Sequence, residues 1–241
     1  STSSTRRLIK EHTLTGWFPY RFVGATGQSK QTECPVGKYA IDEGSSRCTP
    51  AAAGYFVDAP GATESTPCAP GRFAASSEAI KCEDCSDGYY AADEGTAVCS
   101  LAEAGYRAAS PGRRLKEGGA RGTTGATTQL PCQPGSYSLS GSSECISCSA
   151  GKFAALERAI ECVSAEPGCF VAEDSASKEE PCPAGSHASG SGNSECTLCE
   201  PGKYAASAKT PDCTLATQGY FVVNEGATTE VVCPVGTYSP G

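Results

Sequence analysis

Three pairs of cysteines, Cys82/Cys85, Cys145/Cys148 and Cys196/Cys199, are spaced C-x-x-C, as in zinc ribbons and thioredoxin-like redox sites. Tetrahedral zinc needs two such pairs, or one pair with histidines, within reach of one centre. Here the pairs stand far apart in successive repeats, and His12 and His187 are the only histidines. Redox work needs a βαβ frame that a short repeat cannot supply. Each pair therefore reads as the seam between two disulfide-closed units. Acidic clusters at Asp42/Glu43, Glu83/Asp84, Asp93/Glu94, Glu173/Asp174 and Glu179/Glu180 lack the alternating ligand spacing of a calcium loop and read as solvated turns. Two histidines support no Ser/His/Asp or Cys/His set. No catalytic, cofactor or metal-binding residue is assigned, and an enzyme is not expected.

The elements that hold these residues must be small. Leu, Ile, Val and Phe make up about 13% of the 241 residues, below the roughly 20% at which a conventional core becomes possible. Such a chain is either disordered or held by something other than apolar burial, and 16 cysteines point to disulfides. Disulfides persist in oxidising compartments, which predicts an extracellular or cell-surface protein. The net charge of −8 argues against nucleic acid, which requires clustered Lys and Arg in excess. No apolar run approaches the length of a membrane span. With no Met in the chain, Ser1 is not an encoded start, and a piece of a longer product is expected.

Repetition organises the chain. Glycines stand at 37, 54, 71, 88, 105, 135, 151, 168, 185, 202, 219 and 236, a period of 17 residues broken by one step of 30 and one of 16. An aromatic follows each glycine one or two places later, except where His187 stands. Tyr20-Arg21-Phe22-Val23 reads as a further unit, by likeness to Gly54-Tyr55-Phe56-Val57. Most units open with a cysteine three residues before the glycine and close with a second; the others, such as Gly54–Val57 and Gly219–Val222, have no opening cysteine. Cys-Pro-x-Gly supplies one tight turn, and tetrads such as Asp42-Glu43-Gly44-Ser45 supply another. Each unit thus reads as short strand, turn, short strand. Stacked units are expected to bury their rings as a thin continuous spine, with one helical turn possible in the Ala-rich stretch Phe153–Ile160.

These readings give a fold class of small disulfide-rich repeats, an elongated rod of β-hairpins and loops, solenoid-like, with little helix. The chain divides into a head with a partial first unit (1–33), cysteine-rich repeats (34–84), repeats carrying an exposed inserted loop at 108–129 (85–147), further repeats (148–198) and an incomplete last repeat (199–241).

The stretch Cys132-Gln133-Pro134-Gly135-Ser136-Tyr137-Ser138, followed by Gly141-Ser142-Ser143-Glu144-Cys145-Ile146-Ser147-Cys148, resembles the ephrin-receptor-like cysteine-rich repeat, also called the GCC2/GCC3 repeat. Weaker copies, among them Cys34-Pro35-Val36-Gly37-Lys38-Tyr39 and Cys199-Glu200-Pro201-Gly202-Lys203-Tyr204, extend the resemblance over about residues 34–241. The chain is also similar to the cysteine-rich modules of tumour-necrosis-factor receptors, in which the cysteine of Cys-Pro-x-Gly-x-Tyr pairs with the next cysteine along. The resemblance implies an extracellular, elongated, disulfide-laddered module. It implies Cys34–Cys48, Cys68–Cys82, Cys85–Cys99, Cys132–Cys145, Cys148–Cys162, Cys182–Cys196 and Cys199–Cys213, against an alternative that joins Cys48 to Cys68 and Cys162 to Cys182. Cys233 then expects a partner beyond Gly241. Cys169, in the slot filled by Tyr55, Tyr106 and Tyr220, is a candidate for an inter-subunit bond or a free thiol.

Two functions remain open. One is structural, the shaft subunit of a filament, flagellar hair, wall or surface coat. The alternative is the ligand-binding ectodomain of a receptor or adhesin, with the basic loop 108–129 as its contact. Near-uniform repeats offer no specialised patch, which favours the first. Residues 1–33 gather Arg6, Arg7, Lys10 and Arg21 beside Leu8, Ile9, Leu14, Trp17, Phe18 and Tyr20, against an acidic shaft. Unlike surfaces in head-to-tail contact build open filaments. Arg6, Arg7, Trp17, Phe18 and Arg21 are therefore assigned to self-assembly, with the chain as its own partner. Asn193 and Asn224 are the only asparagines and neither begins an N-glycosylation sequon, while Ser, Thr and Pro leave O-linked glycans open.

Overall fold

The computed structural model describes residues 30–110 and 124–239. Eleven antiparallel hairpins follow one another, from Lys38–Tyr39 with Thr49–Pro50 to Tyr220–Phe221 with Val231–Val232. All strands are two residues long, apart from Tyr106–Ala109 and Thr128–Pro131 on either side of the insertion. We number the units 1 to 11: 34–50, 51–67, 68–84, 85–101, 102–131, 132–147, 148–164, 165–181, 182–198, 199–215 and 216–232. The fold is thus an array of small disulfide-rich β-hairpin repeats, with no helix among the described residues. The helical turn expected in Phe153–Ile160 does not form. Arg158 has a φ of 63° there, and its N–H is bonded to Cys132 O at 2.9 Å, across to the preceding unit.

Two turns shape each unit. In the first, the N–H of Lys38 donates to Pro35 O at 3.1 Å and Gly37 takes a φ of 82°, the positive value a type II turn requires at its third position. In the second, the N–H and hydroxyl of Ser45 both donate to Asp42 O around Gly44, at a φ of 75°.

Units stack chiefly through backbone, with a few side-chain bonds such as that from the Ser138 hydroxyl to Tyr106 O. Between units 1 and 2 the N–H groups of Gly37, Ala40 and Gly61 donate to Val57 O, Ala62 O and Cys34 O at 2.8, 3.1 and 2.8 Å. The same set joins units 9 and 10 through Gly185, Ala188 and Lys209. This close approach decides what lies inside. A Cβ on Gly54 would stand 1.9 Å from Gly95 O, so the glycine is required by space as well as by its φ of 88°. The buried column holds small groups: the opening residues of units 1 to 10, such as Cys34, Ala51, Cys68 and Ala102, and the residue three after the first-turn glycine of each unit, such as Ala40, Val57, Ala74 and Ala188.

The rings do not form the expected buried spine. Tyr39, Phe56, Phe73, Phe153 and Phe170 are half-buried along one flank, and Tyr55, Tyr89 and Tyr220 are exposed. Hydrogen-bonded backbones leave room between units for Cys, Ala, Val or Ser only. No helix among the described residues is long and apolar enough to cross a membrane.

Candidate functional site

What distinguishes one unit from the next is how its loop is closed. Seven units are closed covalently, by Cys34–Cys48, Cys68–Cys82, Cys85–Cys99, Cys132–Cys145, Cys148–Cys162, Cys182–Cys196 and Cys199–Cys213. Cys48 is not joined to Cys68, nor Cys162 to Cys182. The Cα atoms of the first pair are 5.7 Å apart, ordinary disulfide spacing, because the second strand returns antiparallel to the first. The open units are 2, 5, 8 and 11, every third along the array.

Three of these four carry a polar clasp instead. The N–H of Glu103 donates to Gln129 Oε1 at 2.8 Å, that of Glu166 to Glu179 Oε2 at 2.7 Å, and that of Thr217 to Glu230 Oε2 at 2.7 Å. The hydroxyl of Thr217 adds a bond to Glu230 Oε1 at 2.8 Å. Gln129, Glu179 and Glu230 occupy the slot of the closing cysteine, and each reaches the residue just after the alanine that replaces the opening one: Ala102 and Ala165, which are buried, or Ala216, which is half-buried. Sequence reasoning missed these clasps. Their signal was a Gln or Glu at the closing position of every unit without an opening cysteine except unit 2, where Ser65 stands.

Cys169 and Cys233 lie in no disulfide. Cys169 is 2% exposed, so its thiol cannot reach another subunit unless its hairpin opens. Burial pushes the Cys169 thiol above the ordinary range, and the adjoining Glu179 carboxylate adds to this, which keeps the group protonated and weakly nucleophilic at neutral pH. Cys233 is half-buried. His187 is half-buried opposite Thr197, its Nδ1 buried without a hydrogen-bond partner.

A second kind of contact joins each unit to the one two places on. Lys38 Nζ is 3.1 Å from Glu78 Oε1, Arg158 Nη1 donates to Tyr106 Oη at 3.0 Å with its guanidinium 5.9 Å from the ring centroid, and Lys209 Nζ donates to Glu166 Oε2 at 2.9 Å. Glu78, Arg158 and Lys209 all sit at the left-handed position of the second turn, with φ of 63°, 63° and 59°, where the other units use glycine, apart from unit 8 with Ser175. That strain is offset by a side chain that reaches across two steps of the stack. Hydrogen bonding to Glu166 raises the Lys209 ammonium above its ordinary value, with the Cys169 thiol a lesser contributor.

Arg6, Arg7, Trp17, Phe18 and Arg21 lie outside the described residues, as does most of the inserted loop, 111–123. Among the described residues no group of His, Cys, Asp and Glu is arranged to hold a metal ion. An open recess beside the second turn of unit 8 is lined by Glu173, Asp174, Ser175 and Lys178, with no convergent set of reactive groups. Compared with protein-family models and with curated proteins, the chain matches none.

Proposed function

We propose that the chain is an extracellular structural repeat protein, a shaft subunit of a filament, flagellar hair, wall or surface coat. The observation that carries this reading is the recurrence of one backbone hydrogen-bond pattern from unit 1 to unit 11, which makes every step of the array nearly equivalent. A shaft needs such uniformity, since each unit then contacts only its neighbours and length grows with every repeat. Seven disulfides and a chain poor in large apolar residues suit an oxidising exterior, where no reductant opens the closures. Assembly is assigned to the head: Trp17 and Phe18 anchor on the shaft of a neighbouring copy, Arg6, Arg7 and Arg21 steer them onto acidic shaft surface, and O-linked glycans decorate the exposed turns.

Electron microscopy of the full chain and of a version lacking residues 1–19 tests this. Filaments from the full chain that disappear on truncation, with the disulfides intact by peptide mapping, support head-to-shaft assembly. Unchanged polymer at all salt concentrations contradicts it, and a monodisperse monomer that captures a soluble ligand would replace it with the receptor or adhesin reading.

A further inference from the structure

Load applied to the two ends of a disulfide-closed unit passes through its S–S bond and bypasses the chain between Cys34 and Cys48, which stand 14 positions apart, or its counterpart in other units. Such a unit releases only about three residues of chain, roughly 10 Å at ~3.5 Å per residue, plus the 5.7 Å between the bridged Cα atoms. An open 17-residue unit pulled straight spans ~60 Å, and the 30-residue unit 5 spans ~100 Å. The folded length of a unit subtracts from each. Nothing covalent beyond the chain itself links one unit to the next among the described residues; what holds them is backbone hydrogen bonds, a column of Ala, Val and Cys, and a few exposed side-chain bridges such as Lys38 to Glu78 and Lys209 to Glu166. Open and closed units therefore differ several-fold in the length they can yield, and the open ones recur at every third position.

We propose that units 2, 5, 8 and 11 are extension elements, which unravel under tension along the chain while the closed units keep their loops, so that the array is a tether with a fixed reserve of length. The clasps grade this reserve. Unit 2, with Ser65 in place of a clasp, opens first. Units 5, 8 and 11 hold until Gln129, Glu179 and Glu230 release their backbone partners. The inference goes beyond the shaft reading and depends only on the pattern of closure, so a receptor stalk with the same closures would behave alike.

Single-molecule stretching of the full oxidised chain, held by its ends, tests it. Four long releases are expected, three near ~50 Å and one near ~95 Å once a folded step of ~9.5 Å per unit is subtracted, with only short ones from the other seven units. Reduction should raise the long releases from four to eleven. In the double variant A51C/S65C, which places cysteines where the neighbouring unit has Cys34 and Cys48, one ~50 Å release should vanish under oxidising conditions and return on reduction. A single concerted rupture of the oxidised array, eleven long releases before reduction, or no change on reduction would overturn the proposal.

Discussion

At the scale of single residues, the left-handed positions carry the most specific expectations. Glycines of the first turn are held by positive φ and by a carbonyl two units away, whereas Gly219, at a φ of 86°, has no neighbouring atom within 4 Å of a built Cβ. Gly54→Ala should therefore lower the melting temperature clearly more than Gly219→Ala, which meets only the ~1 kcal/mol of a left-handed alanine. Ser175 has a φ of 60° and no side-chain partner to offset the strain. Ser175→Gly should stabilise the array slightly, by ~0.5 kcal/mol once the greater freedom of glycine in the unfolded chain is subtracted; a loss of stability in denaturant titration would contradict it. Cys169 supplies a pH expectation. Its folded thiol titrates above the unfolded one, so the stability it contributes is complete below the ordinary thiol range and fades as pH rises through the raised value. Iodoacetamide at mildly alkaline pH should label Cys233 first and Cys169 only after unfolding, as read by mass spectrometry.

At the scale of elements, the hairpin is the unit of stability, and its closure decides how it fails. A disulfide closing a loop of about 15 residues contributes ~3 kcal/mol through the unfolded chain. A clasp contributes less and acts locally. Glu230→Gln should keep the acceptor, as Gln129 already does in unit 5, while Glu230→Ala should strip two bonds from Thr217. Hydrogen exchange at the Thr217 amide should rise about fivefold or more in the alanine variant, equivalent to ~1 kcal/mol, and stay near the parent rate in the glutamine variant. Equal rates in both would remove the clasp from the account. The hairpins were legible in the sequence because the first turn demands a glycine at a fixed place and the period of 17 therefore survives drift elsewhere. The clasps were not legible, because Gln129, Glu179 and Glu230 look like solvated polar residues until the second strand returns beside the first. Phe153–Ile160 misled for a related reason: its alanines favour helix, but the backbone of Arg158 is claimed by Cys132 O of the unit before. The rings misled too, since apolar character argues for burial and the backbone spacing leaves no room for them.

At the scale of the whole molecule, contacts run from each unit to the next through backbone and to the second neighbour through the turns, as between Lys38 and Glu78 or Glu166 and Lys209. Stability is then close to a sum over units and their junctions, and length rather than enclosed volume grows with each repeat. The pattern that bears on function is an array of near-equivalent units with breaks in closure at regular intervals. The units form a one-dimensional array. If each unit advances the stack by about two strand spacings, ~9.5 Å, eleven units make a rod of roughly 100 Å with a radius of gyration of ~30 Å. Small-angle scattering from the oxidised, monomeric chain measures this directly. A value near ~30 Å, with the cross-section of a thin rod, is the expected result, and a value near the ~18 Å of a compact chain of this length would contradict the account.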